Sequence, residues 1–215
     1  MFEEVIRTDQ VVINTFKDSD PALSKLIELI GNIELTLKSN YFESLVFSIV
    51  SQMLSAKVAE TLKKRLLDLV SGDVTPDKLL SFEINELRKS GISPQKASYI
   101  LGLSQKVSLG QLDLEKLKIL SDEDAIKTLT SVKGIGRWTA EMFLIFSLGR
   151  KDVISLGDVG LQRSALWLYR QFNPEEMNNC LERHSLSWIP YRSFASLYLW
   201  RAIDDGYVDR EFIIK

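Results

Sequence analysis

The chain has 215 residues, 45% hydrophobic and 26% charged, with a formal net charge of −2. That is enough for one large or two small soluble domains, and it excludes disordered, low-complexity and collagen-like chains. A single cysteine, Cys180, and a single histidine, His184, exclude an internal disulfide, a cysteine-held zinc or iron–sulfur site and a multi-histidine metal centre. Phe2–Val5 does not begin a signal peptide, and apolar runs such as Met142–Phe146 are far too short to cross a bilayer. A soluble, cytoplasmic monomer with no membrane partner is expected.

Apolar residues recur at helical spacing along most of the chain. Phe42, Leu45, Val46, Ile49, Val50 and Met53 predict a helix over 41–54, and Val58, Leu62, Leu66 and Leu69 a second over 57–70. Thr75–Pro76–Asp77 and Ser93–Pro94 read as helix starts with proline in the first turn. Ser121–Asp124 reads as a capping box with aspartate in place of the usual glutamate, launching Ala125–Ser131. Arg137–Leu148 is apolar nearly all round and should be buried. Leu161, Ala165, Leu168, Tyr169 and Phe172 mark the next helix, Pro174 opens a short one, and Pro190 opens the last, running through Trp200. Val11–Ile13 is the one strand candidate, so the fold class is all-α, with about ten helices joined by short turns. The polar run Gly149–Asp152 is the best candidate boundary.

Chemistry first enters at Val132-Lys133-Gly134-Ile135-Gly136, which joins two of these helices. Two glycines one apart allow positive φ and close approach of another backbone. The second helix begins there, so unsatisfied amides and the positive end of the helix dipole face outward, a ready phosphate site. Lys133 and Arg137 flank it, and Ile135 should pin the turn to the core. Between Lys127 and Arg163 the chain is locally basic, with six lysines and arginines against Glu141, Asp152 and Asp158. A glycine-capped helix connection and a solvated helix face are the plainer readings of the same residues.

The longer pattern Leu129-x-x-Val132-x-Gly134-Ile135-Gly136-x-x-Thr139-Ala140 resembles the helix–hairpin–helix of DNA base-excision glycosylases. Gly134-Ile135-Gly136-Arg137-Trp138-Thr139-Ala140 resembles the DNA-3-methyladenine glycosylase II branch in particular. The likeness extends to Ser51–Lys57, to Gly91–Ala97, to the loop Lys151–Asp158, and to Trp188–Ala195 with Leu199–Arg201. At the N-terminal end it includes Asp20–Pro21. It covers roughly 18–205 in order. Two departures concern substrate range: Met53 replaces the second glutamine of the family's Gln-Gln segment, and Met142 an aromatic of some relatives.

The resemblance implies two helical subdomains with an active-site cleft between them. Residues 40–149 would form a central domain containing the helix–hairpin–helix at about 122–148, and 1–39 with 150–215 a second. It implies double-stranded DNA containing alkylated bases as partner, extrusion of the damaged base and hydrolysis of its glycosidic bond. Asp158 would stabilise the cationic sugar and direct the water; residue type alone favours a cap for the helix carrying Leu161 and Ala165. Bifunctional relatives carry a Schiff-base lysine where this chain has Trp138, so a monofunctional hydrolase is expected. Trp138, Trp200, Met142 and Tyr191 would line the base pocket, since aromatic faces attract cationic purines. Lys133, Gly134, Ile135, Gly136, Arg137 and Thr139 would meet the backbone of DNA. Gln52, Met53 and Leu54 would also meet DNA, with Met53, Leu54 beside it, at the gap left by the flipped base, though Met53 equally fits the buried stripe of its helix. No organic cofactor is implied; a sodium or potassium ion would sit on the backbone carbonyls of Thr130, Val132 and Ile135. Cys180 and His184 read as structural. The other reading from a different class is a non-catalytic, sequence-independent helix–hairpin–helix DNA-binding module.

Overall fold

Helix α1 (Gln10–Ser19) starts where the Asp9 side chain accepts from Val12 N, and it buries Val12 and Phe16 on one face. Val11–Ile13 therefore lies in a helix, not a strand: its β-branched run sits within a 3.6-residue stripe, and that stripe sets the structure. The computed structural model of the chain describes residues 4–169 and 179–210. The predicted helix start at Pro174 and the stripe position Phe172 lie outside the described residues. The one strand pair among the described residues is short. β1 (Val5–Arg7) and β2 (Glu34–Thr36) run antiparallel, with Ile6 opposite Leu35 and an exposed Arg7–Glu34 ion pair.

By contact density the chain divides into two units, residues 38–143 and residues 1–37 with 144–215. In the first, α3 (Tyr41–Ser51) packs on α4 (Ala56–Leu69) and on α7 (Pro94–Ser108). The short helices α5 (Pro76–Leu80) and α6 (Ile84–Lys89) also pack on α7. Leu45, Ile49, Leu66, Leu79, Leu87, Ile100 and Leu103 are fully buried there, each worth about 1.5–3 kcal/mol relative to exposure. The predicted box at Ser121 is half made. Ser121 accepts from Asp124 N and donates to Asp124 Oδ2, a shorter side chain than the glutamate of a full box. The reciprocal form occurs at Glu83–Glu86 instead.

In the other unit α2 (Pro21–Ile30), α10 (Val159–Tyr169) and α12 (Arg192–Asp204) pack together, joined by α1 and the short α11 (Cys180–Ser185). Phe16, Leu23, Leu161, Trp188, Tyr198 and Leu199 belong to its core. Asp20 ties it: Oδ1 caps α2 at Leu23 N, while Oδ2 accepts from Trp188 Nε1 at 2.8 Å and from the Tyr169 hydroxyl. Burial, then the Asp20 charge, pushes the Tyr169 phenol well above its ordinary range. His184 stacks on Tyr169 with 3.5 Å between ring centroids, and Cys180 is buried, so both pack. The last helix begins at Arg192, two residues after Pro190, because Tyr191 is not helical (φ −125°, ψ 32°) and serves as its N-cap. No helix among the described residues is long and apolar enough to cross a membrane.

Candidate functional site

The hairpin lies in the 38–143 unit, with α8 (Asp122–Thr130) leading into it and α9 (Arg137–Phe146) leading out. Val132 and Ile135 are buried, so the turn is anchored by its apolar residues, and Ile135 N closes it by donating to Val132 O at 3.0 Å. Gly134 has φ +94°, and a β-carbon there would lie 2.3 Å from Cδ2 of Tyr99. Only glycine satisfies both the backbone and the packing. Gly136 differs from the expectation. Its φ is ordinary and the space beside it is open, so a side chain there is excluded by nothing among the described residues.

The two cations flanking the turn have different settings. Arg137 is forked onto Glu123, with Nη2–Oε1 at 2.6 Å and Nη1–Oε2 at 3.2 Å, and its Nε reaches Glu141 Oε1 at 2.9 Å. Hydrogen bonding from Arg137 holds the Glu123 carboxyl below the usual carboxylate range. The Arg137 charge thus braces α8 against α9 and is largely neutralised before any partner arrives. Lys133 is exposed, with its Nζ 6.0 Å from the Tyr99 ring centroid. Thr139, expected at the DNA face, is 4% exposed, so its side chain packs. Trp138 is 50% exposed, and Met142, one helical turn on, is half-buried.

The segment after α3 is the second feature of this unit. α3 ends at Ser51 rather than continuing to 54, because Gln52 is extended and Met53 adopts φ +55°. Met53 is 100% exposed, which removes it from the buried stripe the spacing suggested; Leu54 is partly exposed. The left-handed conformation at a non-glycine residue costs roughly 1–2 kcal/mol, here with no compensating burial. The side-chain amide of Gln52 donates to Gly134 O at 2.8 Å, so this segment is bonded to the hairpin turn.

The other unit holds Asp158. Residues 151–158 form a loop clasped to the start of α12. Arg192 takes Asp152 in a fork (Nε–Oδ1 2.8 Å, Nη2–Oδ2 3.0 Å), Ser193 Oγ accepts from Val153 N, and Ser193 N donates to Lys151 O. The loop delivers Asp158 to the head of α10, where Oδ1 accepts from Leu161 N at 2.8 Å and from Trp200 Nε1 at 3.3 Å. Asp158 is therefore a helix cap, as its residue type suggests, and also a 9%-exposed carboxylate braced by an indole. Trp200 is half-buried, its ring 5.7 Å from that of Phe146. Tyr191 packs edge-on against Phe16 and Phe194, both core residues, at 6.5 and 6.1 Å. Tyr99, Lys96 and Glu123 escaped the sequence reading as site residues. Each acts through a partner distant in sequence, and only the Gly91–Ala97 likeness drew attention to any of them.

The class of protein follows from comparison with known families. Residues 46–188 match the model of the HhH-GPD superfamily of base excision DNA repair proteins. The chain belongs to this superfamily. It is 32% identical over 193 residues to a putative DNA-3-methyladenine glycosylase of Bacillus subtilis, YfjP, covering 86% of this chain and 67% of that one. It is 31% identical to DNA-3-methyladenine glycosylase 1 of Schizosaccharomyces pombe, covering 85% and 82% of the two chains. Among solved structures it is similar to a DNA-3-methyladenine glycosidase from Bacillus halodurans (TM-score 0.84, 41% identity, 95% and 96% of the two chains). It is also similar to the Schizosaccharomyces pombe 3-methyladenine DNA glycosylase Mag1 in complex with abasic DNA (TM-score 0.79, 29% identity, 91% and 97%).

Proposed function

We infer that the chain is a monofunctional DNA glycosylase. It hydrolyses the N-glycosidic bond of alkylated purines such as 3-methyladenine in duplex DNA and leaves an abasic site. The observation that carries this reading is the Asp158 carboxylate, buried and oriented by two N–H donors in a chain of this superfamily. As the C1′–N bond breaks, its electron pair leaves with the base and neutralises the alkylated ring, while positive charge grows on the sugar. Asp158 faces that charge, and it takes a proton as water oxygen bonds to C1′. Trp200, bonded to Asp158 Oδ1, offers an aromatic face to a cationic base, worth about 0.5–2 kcal/mol, and in the other unit Trp138 and Met142, one helical turn apart, offer a second such surface. Tyr191, half-buried and held edge-on by Phe16 and Phe194, is a further candidate for the base pocket.

DNA is gripped through its backbone. The amides at the start of α9 and the Lys133 ammonium take phosphate oxygens, so binding depends on salt and not on sequence. A monovalent cation on the carbonyls of Thr130, Val132 and Ile135 belongs to the same reading. The Val132 carbonyl gives one lone pair to Ile135 N, and a carbonyl has two. Met53, exposed and left-handed, is the wedge that enters the stack when the base leaves it, with Leu54 beside it.

Two outcomes follow. Lys133→Ala weakens binding to all duplexes alike and lowers the slope of log affinity against log salt by about 1; Arg137→Ala, whose charge is already paired, lowers it less. A sequence preference abolished by Lys133→Ala would contradict the backbone grip. With Trp at position 138 no imine forms there, so borohydride traps no enzyme–DNA adduct during turnover. Robust trapping would identify an amine nucleophile and overturn the monofunctional reading.

A further inference from the structure

Lys96 has no part in the chemistry above, yet it occupies a particular place. It lies in the first turn of α7, and its Nζ donates to Val50 O at 2.9 Å and to Gln52 O at 2.7 Å. These are carbonyls at the C-terminal end of α3, where the helix leaves acceptors unsatisfied and a cation is favoured. One residue later the chain turns left-handed and exposes Met53 completely. Gln52 is held twice, by its carbonyl on Lys96 and by its side-chain amide on Gly134 O. Tyr99, one turn further along α7, carries the other side of Gly134. A single helix therefore supports both the hairpin turn and the protruding residue.

We infer that Lys96 is a positioning residue that stops α3 at Ser51 and holds Met53 in its protruding conformation, so that insertion into the DNA stack depends on these two ammonium–carbonyl bonds. The inference rests on the glycosylase reading with Met53 as the wedge. Without the ammonium, two carbonyls lose their donor and the Gln52–Gly134 bond is left alone against the strain at Met53; helical continuation through 52 and 53 then becomes the lower-energy path and retracts the side chain. Burial lowers the Lys96 pKa, which fits an ammonium drawn out of water to serve these acceptors.

The test uses the full-length protein with Lys96→Met, which keeps the apolar stem, and Lys96→Arg, which keeps charge and donors. Amide hydrogen exchange of the free proteins reads the tie directly. Lys96→Met accelerates exchange over residues 51–55 by about 10-fold and leaves α8 and α10 unchanged, while Lys96→Arg stays within about 2-fold of wild type. Unaltered exchange over 51–55 in Lys96→Met overturns the inference, whether or not the wild type releases any base. Single-turnover release of methylated purine then reads the consequence in a double-mutant cycle. Lys96→Met slows release about 10-fold when Met53 is present and less than about 2-fold in a Met53→Ala background. Equal slowing in both backgrounds shows that Lys96 does not act through Met53 and overturns the inference. Absence of base release by the wild type defeats the glycosylase reading and leaves the exchange result to decide the tie.

Discussion

Replacing Asp158 with asparagine is expected to slow base release by about 10²–10³ while the protein stays folded. The asparagine carbonyl accepts from Leu161 N and Trp200 Nε1 as the carboxylate does, so the cap of α10 and the indole contact survive. What disappears is the negative charge opposite the sugar cation and the proton acceptor for the attacking water. Affinity for damaged duplex should stay level or rise slightly, since one charge repelling phosphates is gone. Single-turnover release and the melting temperature, measured on the same sample, separate the two roles of this residue. Near-normal release from a folded Asp158→Asn protein would leave Asp158 as a cap alone.

Gly134→Ala should be the most damaging small change in the hairpin. A left-handed alanine costs roughly 1–2 kcal/mol, and forcing Tyr99 aside adds roughly 1–3 kcal/mol. For a chain of this size the sum corresponds to a fall of about 4–20 °C in melting temperature. DNA affinity should fall with it, because the displaced turn carries Lys133 and the carbonyl that receives Gln52. Gly136→Ala is the matched comparison. Among the described residues, its two chain neighbours aside, no atom lies within 4 Å of its added methyl, so the melting temperature should hold, and any loss of DNA binding reports the approach of a phosphate. Equal melting temperatures for Gly134→Ala and wild type would contradict the packing described for Tyr99.

Much of the helical frame is legible in the sequence because amphipathic spacing and proline starts are local signals. The hairpin is legible too, since glycine, isoleucine and lysine at fixed offsets state a turn, an anchor and a charge. The bracing of the site is not legible. Glu123 lies fourteen residues before Arg137 and becomes its partner only when two helices fold back on each other. Gln52 and Gly134 are eighty-two residues apart, and Lys96 reaches α3 from another helix. β1 and β2 are three residues each, too short to alternate visibly. Met53 continues the apolar stripe of its helix by spacing, and only the backbone turn at that residue takes it out of the core.

The chemistry proposed for the chain is hydrolysis of a glycosidic bond without strand cleavage. Chromatography of the bases freed from a methylated duplex, under single-turnover conditions, tests it most directly. The wild-type protein is predicted to free 3-methyladenine while the strand stays intact until heated in alkali. A protein that binds the duplex in a salt-dependent way yet frees no base above the uncatalysed background would contradict glycosylase activity and mark the chain as a DNA clamp.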